Sequence, residues 1–163
     1  MKRAIAALTL ALAIASVHAE TPPDPSLILN KPQSDYLLGC GGCHGPEGHS
    51  NPRLVPDLHN QVGYFLMTDA GRAYLVRVPN VALYTASNEE LAAMLNYMVF
   101  SIGGAGVPVG AKPYTAAEVA RLRKSPLTEV SLIDYRARIV EDLISNHHAP
   151  DSLREYGTHR YAN

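Results

Sequence analysis

The chain has few cysteines, few aromatic residues and no excess of basic charge. Only two of its 163 residues are cysteine, and none is tryptophan. Both cysteines lie in one short motif, so neither is left for a structural disulfide. The chain has 14 lysines and arginines against 15 acidic residues, a net charge of −1. Nucleic-acid binding would need a clustered basic surface, so we expect no nucleic-acid partner.

Long apolar runs are also absent, except at the N-terminus. Residues Ala4 to Val17 are almost wholly apolar and follow the positive start Met1-Lys2-Arg3. This run is shorter than the roughly 20 residues that span a bilayer, although a membrane anchor is the alternative. Val17-His18-Ala19 is a small-residue cleavage pattern. We therefore predict a signal peptide over residues 1–19, cleavage near Ala19, a periplasmic or secreted protein, and no membrane span in the mature chain.

The most informative motif is Cys40-Gly41-Gly42-Cys43-His44. C-x-x-C-H is the attachment signature of a c-type haem. Each thiol can form a thioether with one of the two vinyl groups, and the spacing lets both sulfurs reach the same macrocycle edge. The next residue then lies under the ring, where its imidazole can bind the iron. The motif predicts one covalent haem c held by Cys40 and Cys43, with His44 as the proximal iron ligand.

Two other interpretations of the cysteine pair compete. A thioredoxin-like dithiol expects a βαβ context and does not need His44. A zinc site would need a third and fourth ligand, and only distant histidines such as His49 or His59 could supply them.

The stretch 32–102 resembles the class I cytochromes c, and residues outside the motif support this. Tyr36 lies four residues before Cys40, where such cytochromes often carry an aromatic. Pro56 is similar to the proline whose carbonyl accepts a hydrogen bond from Nδ1 of the proximal histidine, which orients the ring. The resemblance implies an all-α, cytochrome c-like haem domain, here with two additional C-terminal helices.

Helical spacing and caps predict three helices in the haem domain, which we place at 33–103 after an extended, proline-rich leader at 20–32. The first runs from Gln33 to Gly39, and the second, capped by Asp69, to Val78. The third begins at Ser87-Asn88-Glu89-Glu90, a capping box, and ends at Gly103-Gly104. The resemblance implies that Tyr97, on this last helix, contacts the first helix near Gly39 or Tyr36.

The last third of the chain is predicted to be an appendage. Residues 104–113 indicate a linker, residues 114–145 a helical extension, and residues 146–163 a mobile tail. Thr115-Ala116-Ala117-Glu118 is a capping box that opens a helix ending near Lys124. A second helix, from Thr128 to about Ser145, places Arg136 on its polar face. Its apolar face is expected either to pack on the haem core or to dock a partner, and it comprises Val130, Ile133, Ala137, Val140 and Ile144.

The sixth iron ligand cannot be assigned from the sequence. The resembling family usually supplies a methionine before the last core helix, but Val78 stands there, and no Met, His or Lys lies between Met67 and Met94. Met67 is one candidate, and Met94 or Met98 is another. An open or water-bound iron is a further alternative. A histidine could also bind, and the choices are His49, His59, His147, His148 and His159.

The function implied by the resemblance is that of a one-electron carrier, with no catalytic residue. Its partners would be redox proteins, a donor dehydrogenase and an acceptor cytochrome or oxidase. One alternative is an electron-transfer subunit of a larger complex. Another is an open-site haem protein that binds a small gas or peroxide, for which His59, Arg72 and Arg77 are the nearby acid–base groups. Arg53 could contact a haem propionate, although a solvated surface position is the alternative.

Overall fold

The structure, a computed structural model, describes residues 29–50 and 55–157, and every regular element in these ranges is helical. The α-helices are α1 (Lys31–Tyr36), α2 (Gly42–His44), α3 (Asp69–Arg77), α4 (Pro79–Ala82), α5 (Asn88–Asn96), α6 (Ala116–Leu122), α7 (Leu132–His147) and α8 (Arg154–Gly157). Leu37–Gly41 and Tyr97–Ile102 form π-helical segments, and Val62–Met67, Gly104–Gly106 and Asp151–Leu153 form 3-10 turns. The predicted all-α, cytochrome c-like class is confirmed. None of the described helices is long and apolar enough to cross a membrane.

Side-chain caps determine where the helices begin. At α5 the predicted capping box is present, since Ser87 and Glu90 satisfy each other's backbone amides. At α3 the cap is Thr68, whose hydroxyl accepts from the Gly71 amide, and not Asp69 as the sequence suggested. Asp69 is the first helical residue, where its negative charge favours the helix N-terminus. Ser131 caps α7 in the same way, so this helix begins four residues later than predicted.

The first and last helices of the haem domain meet through two tyrosines. The rings of Tyr36 and Tyr97 lie 5.5 Å apart, which confirms the contact implied by the resemblance. Tyr36 is fully buried, and its hydroxyl donates to the carbonyl of Gly45 at 3.0 Å. That bond fixes the end of the haem motif against the core.

The extension packs on the haem domain, one of the two alternatives expected, but the buried face of α7 is rotated from the predicted one, although Ile144 still packs against the core. The buried residues are Arg136, Ile139, Val140 and Leu143. Val130, predicted to be buried, precedes the helix and is fully exposed. Only Val140 is buried in both registers. The difference arises because a charged residue, Arg136, occupies a core position.

Polar contacts also join the extension to the core. Arg72 of α3 makes two hydrogen bonds to the carboxylate of Glu118 on α6, at 2.6 and 2.7 Å. Glu118 therefore faces Arg72, whereas a capping box would turn it back to Thr115. Only half of the predicted box forms, the bond from the Glu118 amide to the Thr115 hydroxyl.

The described part of the C-terminal tail packs against the core, whereas the sequence predicted a mobile tail. Ala149, Leu153 and Tyr156 are all buried in the same core as the haem domain. The sequence predicted a mobile, polar tail because these three apolar residues show no helical period. The predictions for the signal peptide, for Arg53 and for His159 fall outside the described residues.

Candidate cofactor site

The haem motif lies where α1 changes into a π-helical segment and then into α2. Leu37–Gly41 is the π segment, and Gly42–His44 follows it. Such single-turn π segments occur frequently at functional sites. Neither cysteine is in a disulfide; Cys40 is half-buried and Cys43 is exposed. Burial raises the pKa of the Cys40 thiol.

A hydrogen bond orients the third member of the motif. Nδ1 of His44 lies 3.0 Å from the carbonyl oxygen of Pro56, the contact implied by the resemblance. A carbonyl can only accept, so Nδ1 must carry the proton, and Nε2 is left with a free lone pair. Burial lowers the pKa of His44, partly offset by the bond to Pro56. The imidazole is therefore held neutral, as an iron ligand must be.

Two adjoining cavities open on the side chain of His44. The larger has a volume of about 330 Å³ and the smaller about 160 Å³. Their shared walls are formed by His44, Val55, Asn80, Val81 and Met98. Volumes of this order in apolar surroundings are typical of cofactor sites.

The smaller cavity contains the attachment chemistry. Cys40 and Cys43 line it together with Leu91, Met94 and Leu95, which come from α5. A Cβ at Gly39 would come within 3 Å of the side-chain ends of Met94 and Tyr84, so Gly39 lets these two side chains pack closely against the motif. Two thiols and an imidazole on an apolar wall fit a haem bound by two thioethers and one nitrogen ligand.

The larger cavity contains polar groups that the sequence analysis missed. Tyr74 of α3, Arg136 of α7 and Tyr156 of α8 line it. Only 8% of Arg136 is exposed, and its Nε has no hydrogen-bond partner within the described ranges. The available signal was a charged residue three positions before Ile139 and seven before Leu143, on the same helical face.

The candidate sixth ligands fall at different distances from these cavities. Met67 ends the 3-10 turn Val62–Met67 and lines neither cavity. Met94 lines the smaller cavity and Met98 lines both. Val78 lines the larger cavity.

The described histidines other than His44 lie outside the cavity walls. His49 and His59 stack on each other with ring centroids 4.0 Å apart. Nδ1 of His59 lies 3.1 Å from the carbonyl of Glu47. His147 and His148 are exposed at the end of α7. None of these four has been brought to His44 by the fold.

Two arginines suggested as acid–base groups are engaged elsewhere. Arg72 is bound to Glu118, as described above, and Arg77 donates to the carbonyl of Ser125 at 2.7 Å. Neither lines the cavities next to His44. Neither Arg72 nor Arg77 is therefore placed to act as the acid–base group that peroxide chemistry would use next to His44.

Comparison with known proteins identifies the family. Cytochrome c-552 of Thermus thermophilus is 30% identical over 118 residues, which span 61% of this chain and 90% of that protein. The chain belongs to the c-type cytochromes. A second cytochrome c-552, from Thermus thermophilus strain ATCC 27634, has the same identity over 80% of its length. No family model and no solved structure matches the chain.

Membership establishes the general function of the site. A c-type cytochrome carries electrons on haem c and exchanges them with redox partners. In this c-type cytochrome the alignment does not extend over the whole chain.

Proposed function

We propose that this cytochrome carries one electron at a time on a single haem c in the periplasm. Cys40 and Cys43 form the thioethers, and His44 is the proximal iron ligand. The observation that supports this most directly is the bond from His44 Nδ1 to the Pro56 carbonyl, in a cavity wall beside both thiols. That bond leaves Nε2 as the coordinating atom.

The haem supplies the ferric–ferrous couple, and the residues around it hold and insulate it. Leu91, Leu95 and Val81 exclude water from the cavity, which affects the potential because the oxidised centre carries one more positive charge. The Pro56 carbonyl makes the His44 imidazole a stronger donor. An electron carrier needs no acid or base, in agreement with the positions of Arg72 and Arg77.

For the sixth position we propose an iron that is open or carries water. Val78 and Val81 form the apolar wall contributed by the segment that precedes α5. Met98 is the alternative, because it lines both cavities. CO separates the two: prompt binding to the ferrous protein supports an open position, and resistance to CO supports methionine ligation. Prompt binding would also favour the second candidate function, a haem protein that binds a small gas or peroxide.

The thioether assignment is tested by Cys43→Ala. We expect this variant to lose one thioether, with a shift of the pyridine haemochrome band towards longer wavelength. Replacing Ser125, an exposed residue outside the site, by Ala is the matched control and should leave the band unchanged. A Cys43→Ala protein with the wild-type band would refute the assignment.

For partners we propose a periplasmic dehydrogenase as donor and a cytochrome or oxidase as acceptor. The motif presents an exposed edge: Cys43 is exposed, and the neighbouring Leu38 is 85% exposed. An exposed cofactor edge suits transient contacts of small area. Stopped-flow reduction by quinoprotein dehydrogenases of alcohols or amines tests this, and failure with all of them would remove the dehydrogenase from the proposal. Co-purification with a second chain would instead support a subunit of a larger complex.

A further inference from the structure

Arg136 is a buried cation without an anionic partner among the residues described. It is 8% exposed and makes none of the salt bridges in this part of the chain. Its guanidinium lies 5.8 Å from the ring centroid of Tyr156, and Tyr74 lines the same cavity. Neither neighbour supplies a negative charge at neutral pH, because burial raises the pKa of both tyrosines above the usual value.

Such an arrangement is costly unless something else neutralises it. Arginine stays protonated in proteins, so it cannot escape the cost by losing its charge. An uncompensated buried charge destabilises a protein by several kcal/mol, and the unpartnered Nε adds the cost of an unmade hydrogen bond. A buried arginine aimed into a cavity therefore indicates that the molecule in the cavity is an anion.

The position of Arg136 identifies the part of the cofactor that it would meet. Cys40 and Cys43 line only the smaller cavity, whereas Arg136 lines only the larger one. His44 lines both and lies between them. In a haem, the two propionates are carried on the side of the macrocycle away from the vinyl groups. If the vinyl edge is bound at Cys40 and Cys43, the propionate edge would face the larger cavity, which Arg136 lines.

We propose that Arg136, on the C-terminal extension, binds a haem propionate. The inference rests on the proposed haem attachment at Cys40 and Cys43. The guanidinium fork matches a carboxylate, so Nε and a terminal nitrogen can donate to its two oxygens. Tyr74 and Tyr156 line the same cavity as Arg136 and add polar side chains to its largely apolar wall. The extension therefore supplies part of the cofactor site and sets the charge near the haem.

The test uses Arg136→Gln in the full-length holoprotein, with Arg138→Gln as the matched control. Both changes remove one positive charge from α7, but Arg138 is 64% exposed and faces Glu129. The readout is the midpoint potential by spectroelectrochemistry between pH 5 and 9. Loss of a nearby cation favours the ferric state. We expect R136Q to shift the one-electron equilibrium by about tenfold, or about 59 mV downward, and R138Q by less than twofold.

The dependence on pH gives a second readout. In the wild type the carboxylate beside Arg136 stays ionised, because a neighbouring cation lowers a carboxyl pKa. Without that cation, the pKa of a buried carboxyl rises, so the potential of R136Q should fall with pH over a range where the wild-type potential is constant. Equal potentials and equal pH profiles for R136Q and R138Q would overturn the proposal.

Two further measurements separate a failure of the haem attachment from a failure of the contact at Arg136. The pyridine haemochrome of each variant reports the thioethers, so a failure of the haem assignment is seen separately from a failure at Arg136. If R136Q yields too little folded protein, Arg136→Lys is compared with Arg138→Lys by resonance Raman spectroscopy. A shift of the propionate bending band in R136K alone supports the contact, and identical bands overturn it.

Discussion

Replacing Leu143 by alanine should destabilise the folded cytochrome by about 3 kcal/mol. Leu143 lies on the buried face of α7 and has no exposed surface. The change removes three carbons from a close-packed interior and leaves a cavity. Leu→Ala changes at sites of this kind cost about 3–5 kcal/mol, and we take the lower end because the C-terminal segment that covers Leu143 is short and can partly relax. In a chain of this length the cost corresponds to a decrease in Tm of about 6–12 °C.

The assay is guanidinium unfolding of the holoprotein, followed by circular dichroism at 222 nm and by haem absorbance. Coincident transitions would show that the extension and the haem domain unfold together. Val130→Ala is the control, because Val130 is fully exposed in the structure but belongs to the apolar face suggested by the sequence. We expect it to change the free energy of unfolding by less than about 0.5 kcal/mol. A small effect for L143A together with a large one for V130A would refute the observed register of α7.

Two further changes test the contacts that α3 makes with α6 of the extension and with the turn Val62–Met67. The hydrogen-bonded Arg72 lowers the pKa of Glu118 in the folded protein. The pair therefore stabilises the fold fully above the unfolded-state pKa of about 4.3. This stabilisation is lost as the pH falls through the lower pKa of the folded state. Glu118→Gln should therefore cost about 1 kcal/mol at pH 7 and progressively less below about pH 4, and a constant difference in urea titrations at both pH values would contradict the pairing. Gly71→Ala should destabilise by about 1–3 kcal/mol in the same titration, because a Cβ there would collide with the Phe65 carbonyl. Helix propensity alone would raise the free energy of unfolding by about 1 kcal/mol. A G71A protein that is more stable than the wild type would therefore show that α3 and the turn Val62–Met67 are not in contact at this position.

The parts of the fold that could be predicted from the sequence have local signals. The capping box at Ser87 and Glu90 depends on two residues three positions apart, and the structure confirms it. The contact of Tyr36 with Tyr97 has no local signal, and only the family resemblance implied it. The assignment of Cys40, Cys43 and His44 as haem ligands stays a prediction, although the geometry of His44 supports it.

The two differences in the extension arise where a polar side chain has surroundings that its local sequence does not show. Helical spacing puts Arg136 on the polar face of its helix, whereas the structure buries it. If its anionic partner belongs to a cofactor, no pattern of amino acids could reveal it. The spacing of Thr115 and Glu118 predicts a capping box, but the carboxylate of Glu118 binds Arg72, which lies 46 residues away in the sequence. Local spacing cannot distinguish the two partners.

The contacts of the extension argue that it is part of the haem domain. Arg123, at the end of α6, donates to the carbonyls of Ala82, Tyr84 and Ala86. These carbonyls belong to the last residue of α4 and to the stretch just after it, next to the cavity wall at Asn80 and Val81. Because that segment carries no methionine to anchor it to an iron, some other interaction must hold it in place. Arg123 supplies such an interaction from the end of α6, and Arg136 of α7 lines the larger cavity together with Asn80 and Val81. An extension that holds one wall and supplies another cannot be removed without altering the site.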